Sequence, residues 1–200
     1  MAAAFILGIG GSLGKESVSD CALKYALECA RAHGATAELW CPKIQALPLF
    51  NPSDRIPTEN YKILSAQLAR ADAVILATPD YHGGPSGAMK NTLDHFWREF
   101  AGKLFGYICA SHEKGLTAMD QLRTNVRQCY GWSLPYGVAL SDEDANDDCT
   151  AISGERVRKR LDMMAYDLIH YGSLMRRQFR ADLDSNGAVA GFAAQYRPKK

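Results

Sequence analysis

Glycine and serine residues crowd the segment that follows the first apolar run of the chain. This segment spans Gly8–Ser19 and reads GIGGSLGKESVS. Glycines let the backbone turn tightly, and free N–H groups at the start of a following helix attract anions. Ser12, Ser17 and Ser19 add hydroxyl donors, and Lys15 adds a positive charge. The segment therefore predicts a site for a phosphate group.

Three kinds of phosphate site compete for this segment. A nucleotide-triphosphatase loop needs G-x-x-x-x-G-K-[ST], but Glu16 follows Lys15 here and Ile9 stands where the first glycine is required. A dinucleotide fingerprint needs G-x-G-x-x-G, and Leu13 replaces its last glycine. A serine-rich loop that holds one phosphate monoester, as FMN-binding proteins use, fits these residues best. The alternative is an ordinary strand-to-helix turn in which Ser17 caps the helix.

A second polar segment follows the apolar run Ala73–Ala77 and reads TPDYHGG over residues 78–84. Proline at a strand end fixes φ, and paired glycines let the backbone lie close to a planar ligand. Backbone N–H groups from Asp80 to Gly83 could donate to such a ligand, and Tyr81 offers a flat face. A polar turn before a helix is the alternative.

Apolar runs and amphipathic stretches alternate along the chain, which predicts strands separated by helices. We predict strands over residues 3–9, 36–41, 73–77, 103–110 and 136–140, and helices over 17–31, 58–70, 87–100, 116–130 and 153–171. This alternation predicts an α/β fold with a parallel sheet and helices on both faces. Ligands bind beyond the carboxyl ends of such strands, so the loops after Ile9, Ala77 and Ala110 should form the site.

Composition sets the broad class of the protein. The chain has 200 residues, of which 47% are hydrophobic and 22% charged, and its formal net charge is +1. These values are ordinary for a globular protein, and we expect residues 1–200 to form a single domain. The charge balance offers no basic field for nucleic acid, and it lacks the strong acidity of a small electron carrier.

Cysteine usage and apolar runs indicate where the protein works. The six cysteines are scattered without a C-x-x-C pair, which argues against a zinc site and predicts no metal. The N-terminus lacks the pattern of a signal peptide, and no apolar run reaches the roughly 20 residues that cross a bilayer. We therefore expect a cytoplasmic protein with free thiols and no membrane contact.

The second polar segment carries a family resemblance. Residues 71–94 (ADAVILATPDYHGGPSGAMKNTLD) closely resemble the NAD(P)H-dependent FMN reductase family, whose members commonly read T-P-E-Y-N-G and then G-x-L-K-N-x-x-D here. Gly11–Ser17 is similar to the family's G-S-x-R-x-x-S pattern, and Leu47–Pro52 is similar to its proline-rich segment. The resemblance implies a flavodoxin-like three-layer sandwich, with a five-stranded parallel sheet in the order 2-1-3-4-5.

The resemblance also implies the activity. It implies an FMN-dependent oxidoreductase that passes a hydride from NADPH or NADH through bound flavin to a second acceptor, which is a free flavin, a quinone, an azo compound or a metal ion. The cofactor carries the redox chemistry, so no side chain is assigned as a catalytic acid or base. Ser111 and Gly115 match a family loop beside the flavin ring. The implied cofactor contacts are Ser12, Lys15, Ser17, Ser19, Pro79, Asp80, Tyr81, His82, Gly83, Ser111 and Gly115.

The chain departs from the family pattern at three positions. Gly14 stands in place of the arginine of the phosphate loop, and Lys15 is the nearest cation in sequence. Asp80 replaces a glutamate, and His82 replaces an asparagine. Histidine can change charge near neutral pH, as can the neighbouring loop residue His112, for which an inert exposed position is the alternative to an acid role.

Two other functions fit parts of the sequence. One is an FMN-binding electron carrier or redox-sensing module without reductase turnover, and the other is a Rossmann-type NAD(P)-binding dehydrogenase. As partners we expect a small-molecule acceptor, no nucleic acid and a second copy of the chain, since the family resemblance implies a homodimer or homotetramer. Phe96 and Trp97 could form its seam, or they could pack in the core.

Charged residues gather in two further places. An acidic cluster occupies residues 142–148 but lacks the ligand pattern of a calcium loop, so a solvated loop or partner contact is expected. A basic cluster of Arg156, Arg158, Lys159 and Arg160 opens the last helix. It could meet the adenosine phosphate of NADPH or face solvent.

Overall fold

The computed structural model of the chain describes residues 3–54, 57–185 and 191–197. The strands are β1 (Phe5–Gly10), β2 (Thr36–Trp40), β3 (Ala73–Tyr81), β4 (Gly84–Pro85), β5 (Leu104–Ala110), β6 (Trp132–Ser133) and β7 (Val138–Leu140). The α-helices are α1 (Val18–Ala32), α2 (Glu59–Arg70), α3 (Gly87–Asp94), α4 (Leu116–Gln128) and α5 (Glu155–Asp184). Short 3-10 helices occupy Arg98–Phe100, Asp142–Asp144 and Phe192–Tyr196.

The sheet has the order β2-β1-β3-β5-β6, and its main strands are parallel. β7 pairs with β5 beyond the end of β6, and β4 pairs only with β3 in a short hairpin. The expected flavodoxin-like class, with helices on both faces of a parallel sheet, is confirmed. The sheet differs from the predicted five strands in two ways, because the hairpin adds β4 and because the short strand β6 precedes the predicted fifth strand, of which β7 is the paired part.

The far edge strand is divided because the chain leaves the sheet between β6 and β7. Leu134 donates its backbone N–H to the Phe105 carbonyl at 2.9 Å, and Pro135 then has no N–H to continue the ladder. Pairing resumes where Val138 lies opposite Ile108. The predicted strand from Tyr136 therefore shortens to three residues.

Two apolar layers cover the sheet. One buries the inner faces of α1 and α5 against alternate residues of β1 and β3, such as Ile6 and Ile75. The other buries α2, α3 and α4 against the intervening residues, such as Leu7 and Leu76. This arrangement places the beginnings of α1, α3 and α4 at the carboxyl edge of the sheet, where the chain leaves β1, β3 and β5.

Two helices end at positions that periodicity did not predict. α3 ends at Asp94, and Phe96 then turns into the core with 2% of its surface exposed, while Trp97 is 65% exposed. α5 continues past Tyr171 because Phe179 packs against Ala101 and Ala193 in a separate small cluster. The apolar stripe in the sequence stops at Tyr171, so this second contact region extends the helix.

Candidate functional site

The loops that follow β1, β3, β5 and β7 surround one cleft at the carboxyl edge of the sheet. The cleft has a volume of about 540 Å³, which lies within the usual range for a small-molecule site. Seven of the eleven predicted contact residues line it: Ser12, Ser17, Ser19, Pro79, Asp80, Tyr81 and Ser111. The structure therefore brings together residues from all three loops that the sequence indicated.

The first loop ends at Ser17, which is the N-cap of α1. Its Oγ accepts a hydrogen bond from the Asp20 backbone N–H at 3.2 Å and lies 3.1 Å from the Ser19 Oγ. The backbone N–H groups of Val18 and Ser19 find no acceptor among the described residues. These two donors, together with the hydroxyls and the positive end of the helix dipole, form a neutral anion site.

Lys43, which no sequence motif singled out, stabilises the loop before Ser17 from outside the cleft. Its Nζ donates to the Gly14 carbonyl at 2.9 Å and lies 2.7 Å from Asp20 Oδ2. Burial acts against the charged form of Lys43, but the Asp20 carboxylate outweighs it and raises the pKa of the ammonium group. Lys15 is exposed and does not line the cleft. Lys15, which is next to the loop in sequence, and Lys43, which contacts the loop, therefore both lie outside the cleft lining.

β3 carries the second loop beyond the sheet and folds back on β4 as a hairpin. Asp80 lies opposite Pro85 and Tyr81 opposite Gly84, which leaves His82 and Gly83 as the two turn residues. Their φ angles are 56° and 77°, as a two-residue hairpin turn of the left-handed region requires. The Gly83 carbonyl accepts from Gln121 Nε2 at 3.0 Å. His82 and Gly83 lie at the hairpin tip and do not line the cleft.

The hairpin is fastened to the first loop at its base. Thr78 Oγ1 accepts from the Ser86 backbone N–H at 2.9 Å, and Ser86 Oγ donates to the Gly11 carbonyl. All three polar groups are buried. This connection fixes the distance between the loop that begins α1 and the loop that carries Asp80.

Asp80 and Ser111 join the second loop to the third. Ser111 Oγ donates to Asp80 Oδ2 at 2.9 Å and accepts from the Glu113 backbone N–H at 3.1 Å. Asp80 Oδ1 is buried and has no hydrogen-bond partner within the described residues. A buried carboxylate oxygen of this kind is costly unless a ligand supplies a donor. Burial and the nearby Asp80 charge raise the pKa of the Cys109 thiol to about 12, so Cys109 stays protonated.

Gly115 shapes the third loop without lining the cleft. It begins α4 with φ of 57°, and a Cβ at this position would lie 2.5 Å from Cys109 Sγ. Only glycine fits both the backbone angle and the space. The predicted role of Gly115 as a cofactor contact stays a prediction, while its structural role follows from this geometry.

The loop after β7 closes the remaining side of the cleft with acidic residues. Asp142 and Asp147 line the cleft together with Glu16, and no lysine or arginine in the described ranges does so. The position of the acidic cluster in the sequence indicates this placement, because residues 141–148 follow the predicted fifth strand and so lie at the same edge of the sheet as the other loops. The acidic cluster is largely exposed, as expected of a solvated loop, and part of it also faces the cleft.

The fold is of the flavodoxin-like class, and the cleft lies at the carboxyl edge of the sheet, where such folds bind their ligands. A family model described as NADPH-dependent FMN reductase matches residues 5–146. The chain belongs to this family. It is 31% identical over 143 residues to an FMN-dependent NADPH-azoreductase of Staphylococcus aureus, a match that covers 67% of this chain and 75% of the relative.

Solved structures agree on the fold. A flavoenzyme NAD(P)H:(acceptor) oxidoreductase from Paracoccus denitrificans superposes with a TM-score of 0.71 at 20% identity, covering 86% of this chain and 98% of that chain. An NADH:FMN oxidoreductase in its apo form gives a TM-score of 0.62 at 19% identity, covering 82% and 90%. The family assignment makes the chain an FMN-dependent oxidoreductase with NAD(P)H as electron donor, as the sequence predicted.

The hydrogen-bond donors and acceptors of the cleft fit FMN. The free N–H groups and hydroxyls at the start of α1 suit a phosphate, and the unpartnered Asp80 Oδ1 suits an N–H of the flavin ring. The described residues contain no group of three or more His, Cys, Asp and Glu side chains that could hold a metal ion. None of the helices in the described ranges is long and apolar enough to cross a membrane.

Proposed function

We propose that this protein transfers electrons from NAD(P)H to a small, planar, uncharged acceptor in the cleft described above. The observation that carries the proposal is the convergence of Ser17, Asp80 and Ser111, from three separate loops, on one cleft at the carboxyl edge of the sheet. The family assignment supports reductase turnover over the electron-carrier and Rossmann dehydrogenase alternatives.

Different residues of the cleft contact different parts of FMN. Ser17, Ser19 and the first N–H groups of α1 bind the phosphate, with Ser12 supporting the loop. Asp80 accepts a hydrogen bond from the flavin ring, and Tyr81, whose side chain is largely exposed at the cleft, covers it. FMN, when bound, supplies the redox chemistry by accepting a hydride at N5 and passing it on.

Pro79, His82, Gly83 and Gly115 support this arrangement from the backbone. Pro79 lies within β3 opposite Ala110, the last residue of β5. It therefore marks the point where the second and third loops leave the sheet toward the cleft. His82 and Gly83 form the hairpin turn, and Gly115 sets the entry into α4. Lys15 contributes a positive charge at long range, because its exposed side chain belongs to the phosphate loop but does not line the cleft.

The acidic side of the cleft selects among the candidate acceptors. Glu16, Asp142 and Asp147 place negative charge where the acceptor enters, and like charges repel. Quinones, uncharged azo compounds and free riboflavin are therefore favoured over anionic acceptors such as chromate. The azoreductase activity named for the Staphylococcus aureus relative is consistent with a planar aromatic acceptor.

The test is a titration followed by acceptor kinetics. FMN is added to the purified protein, and we expect the flavin spectrum to shift on binding. NADPH and NADH oxidation is then followed with menadione, an uncharged azo dye, riboflavin and chromate, and we expect kcat/KM to be lowest for chromate. Failure to bind FMN would overturn the proposal, and FMN binding without NAD(P)H oxidation would identify an electron carrier.

The proposal extends to assembly and location. We propose that residues 1–200 work as one domain within a homodimer or homotetramer, and the exposed Trp97 supports a contact between copies. All six cysteines are free thiols, which supports a reducing, cytoplasmic location. Sedimentation of the wild-type protein and of Trp97→Arg tests the assembly. A monomeric wild-type protein would contradict it.

A further inference from the structure

A second cleft lies beside the first, on the other side of the loop that begins at Ser111. Its volume is about 610 Å³. The two clefts share Ser111, His112 and Ser141 in their linings, so they are separated only by this loop and open next to each other. A ligand longer than the flavin ring can therefore reach both.

The charges of the two clefts are opposite. Four cations line the second cleft, namely Lys114, Arg123, Arg156 and Arg160, against the single carboxylate of Asp144. That carboxylate already accepts a hydrogen bond from the Ser141 backbone N–H at 3.0 Å. The second cleft is thus strongly basic, while the first is lined by acidic residues alone among the charged residues described.

Two of the four cations have partners that explain their position. Arg160 donates to the Gly137 carbonyl at 3.2 Å and lies over the Tyr136 ring at 5.3 Å. Arg123 donates to Asp120 at 2.6 Å. These two arginines help to build the walls of the cleft.

The other two cations are unpaired. Lys114 and Arg156 are exposed, and neither forms a hydrogen bond or ion pair with another residue in the described part of the chain. They come from different elements, since Lys114 lies in the loop before α4 in a left-handed backbone conformation and Arg156 lies in the first turn of α5. Their convergence on one cleft, with neither of them paired to a carboxylate, is the arrangement expected of an anion site.

We propose that this second cleft binds a phosphate group of the nicotinamide nucleotide, with Lys114 and Arg156 as its contacts. The inference rests on the proposed function, because the nicotinamide must reach the flavin while the rest of the nucleotide lies elsewhere. In the first cleft the hydrogen-bond donors at the start of α1 are assigned to the FMN phosphate, and the carboxylates of Glu16, Asp142 and Asp147 repel any further phosphate. The adjacent basic cleft attracts the phosphates of the electron donor. Lys114 and Arg156 thereby determine donor affinity.

The phosphate comes either from the 2′-position of NADPH or from the pyrophosphate that NADPH and NADH share. Binding of 2′,5′-ADP and of ADP to the FMN-loaded protein, measured by calorimetry, separates these sources. Weakening of 2′,5′-ADP alone in Arg156→Gln assigns the 2′-phosphate. Weakening of ADP as well assigns the phosphate on the adenosine 5′-oxygen, which belongs to the pyrophosphate in both NADPH and NADH.

The variants are Arg156→Gln and Lys114→Gln, and Lys159→Gln is the matched control. Lys159 lies on the same helix turn as Arg156, pairs with Glu155 at 2.6 Å and does not line the cleft. We expect each cleft variant to weaken 2′,5′-ADP binding and raise the KM for NADPH by roughly tenfold, with kcat unchanged. The control should change both by less than about twofold.

The outcomes separate the inference from the proposed function. If Arg156→Gln and Lys114→Gln weaken nucleotide binding no more than Lys159→Gln, the inference is overturned, even when NADPH is oxidised normally. If the wild-type protein binds 2′,5′-ADP through these residues but oxidises neither nucleotide, the site stands and the proposed reductase activity fails.

Discussion

Ser111 Oγ donates a 2.9 Å hydrogen bond to Asp80 Oδ2, and this bond ties together two loops that are 31 residues apart in the chain. It leaves the second carboxylate oxygen of Asp80 buried and without a partner within the described residues. The pair therefore fixes a negative charge at the wall of the proposed FMN site and keeps one acceptor available.

Asp80→Asn is expected to raise the midpoint potential of bound FMN by tens of millivolts. A fixed carboxylate beside the ring disfavours the addition of electrons, and the amide removes its charge while keeping its shape. The potential is measured by equilibration with a reference dye. Glu59→Gln removes an exposed carboxylate on α2 and should leave the potential unchanged. An unchanged or lower potential in Asp80→Asn would show that the carboxylate does not face the flavin.

Ser17→Ala is expected to weaken FMN binding by about 1 kcal/mol or more, because a hydroxyl that contacts the phosphate is lost. It should also lower the free energy of unfolding by about 1 kcal/mol through loss of the α1 cap. Thr58→Ala provides the control, since Thr58 caps α2 in the same way, accepting from the Tyr61 N–H at 3.2 Å, and does not line the cleft. Equal FMN affinities in the two variants would refute the role of Ser17 in phosphate binding.

The acidic side of the cleft predicts an unusual salt dependence. Added salt screens the repulsion between the FMN phosphate and the carboxylates of Glu16, Asp142 and Asp147, so FMN affinity should rise between low and moderate ionic strength. The double substitution Asp142→Asn and Asp147→Asn should tighten FMN binding several-fold and abolish this rise. Glu143→Gln, in the same loop but outside the cleft lining, should do neither. Affinity that falls with salt in the wild-type protein would contradict the prediction.

Lys103 predicts a pH dependence of stability. Its side chain is 2% exposed at the start of β5, and burial, followed by the charges of Arg176 and Arg180, lowers its pKa to about 7. In the unfolded chain the pKa is near that of an ordinary lysine, about 10.4. Between these values the unfolded state binds more protons, so this residue makes stability rise with pH from about 7 to about 10.

Lys103→Met should remove this contribution. Below pH 7 the wild-type protein carries the full cost of a buried charge, so the variant should be more stable by about 1–3 kcal/mol there, and the difference should shrink toward pH 10. Urea unfolding at several pH values measures it. Lys62→Gln, an exposed lysine on α2, serves as control. A variant that is less stable at pH 6.5 would show that the Lys103 ammonium is paired favourably.

Local sequence was sufficient to predict which residues line the cleft where the conformation of a loop depends on its own residues. The cap at Ser17 depends on residues within one helical turn, and it is found where the sequence placed it. The hairpin of residues 78–85 similarly places Asp80 beside the cleft. Long-range packing changed other predictions, since the contact of Phe179 with Ala101 extends α5 and the core position of Phe96 ends α3 early.

The sequence by itself determined the alternation of strands and helices, the family and three of the four loops that form the cleft, because these depend on periodicity and on short motifs. Only the tertiary structure decided which charges face each other. It set Asp142 and Asp147 at the proposed FMN cleft, placed Lys43 beside Asp20, and brought Lys114 and Arg156 into one basic cleft. The net charge of +1 gives no sign of this separation. Electrostatic fields depend on distances between side chains, and those distances exist only after the chain has folded.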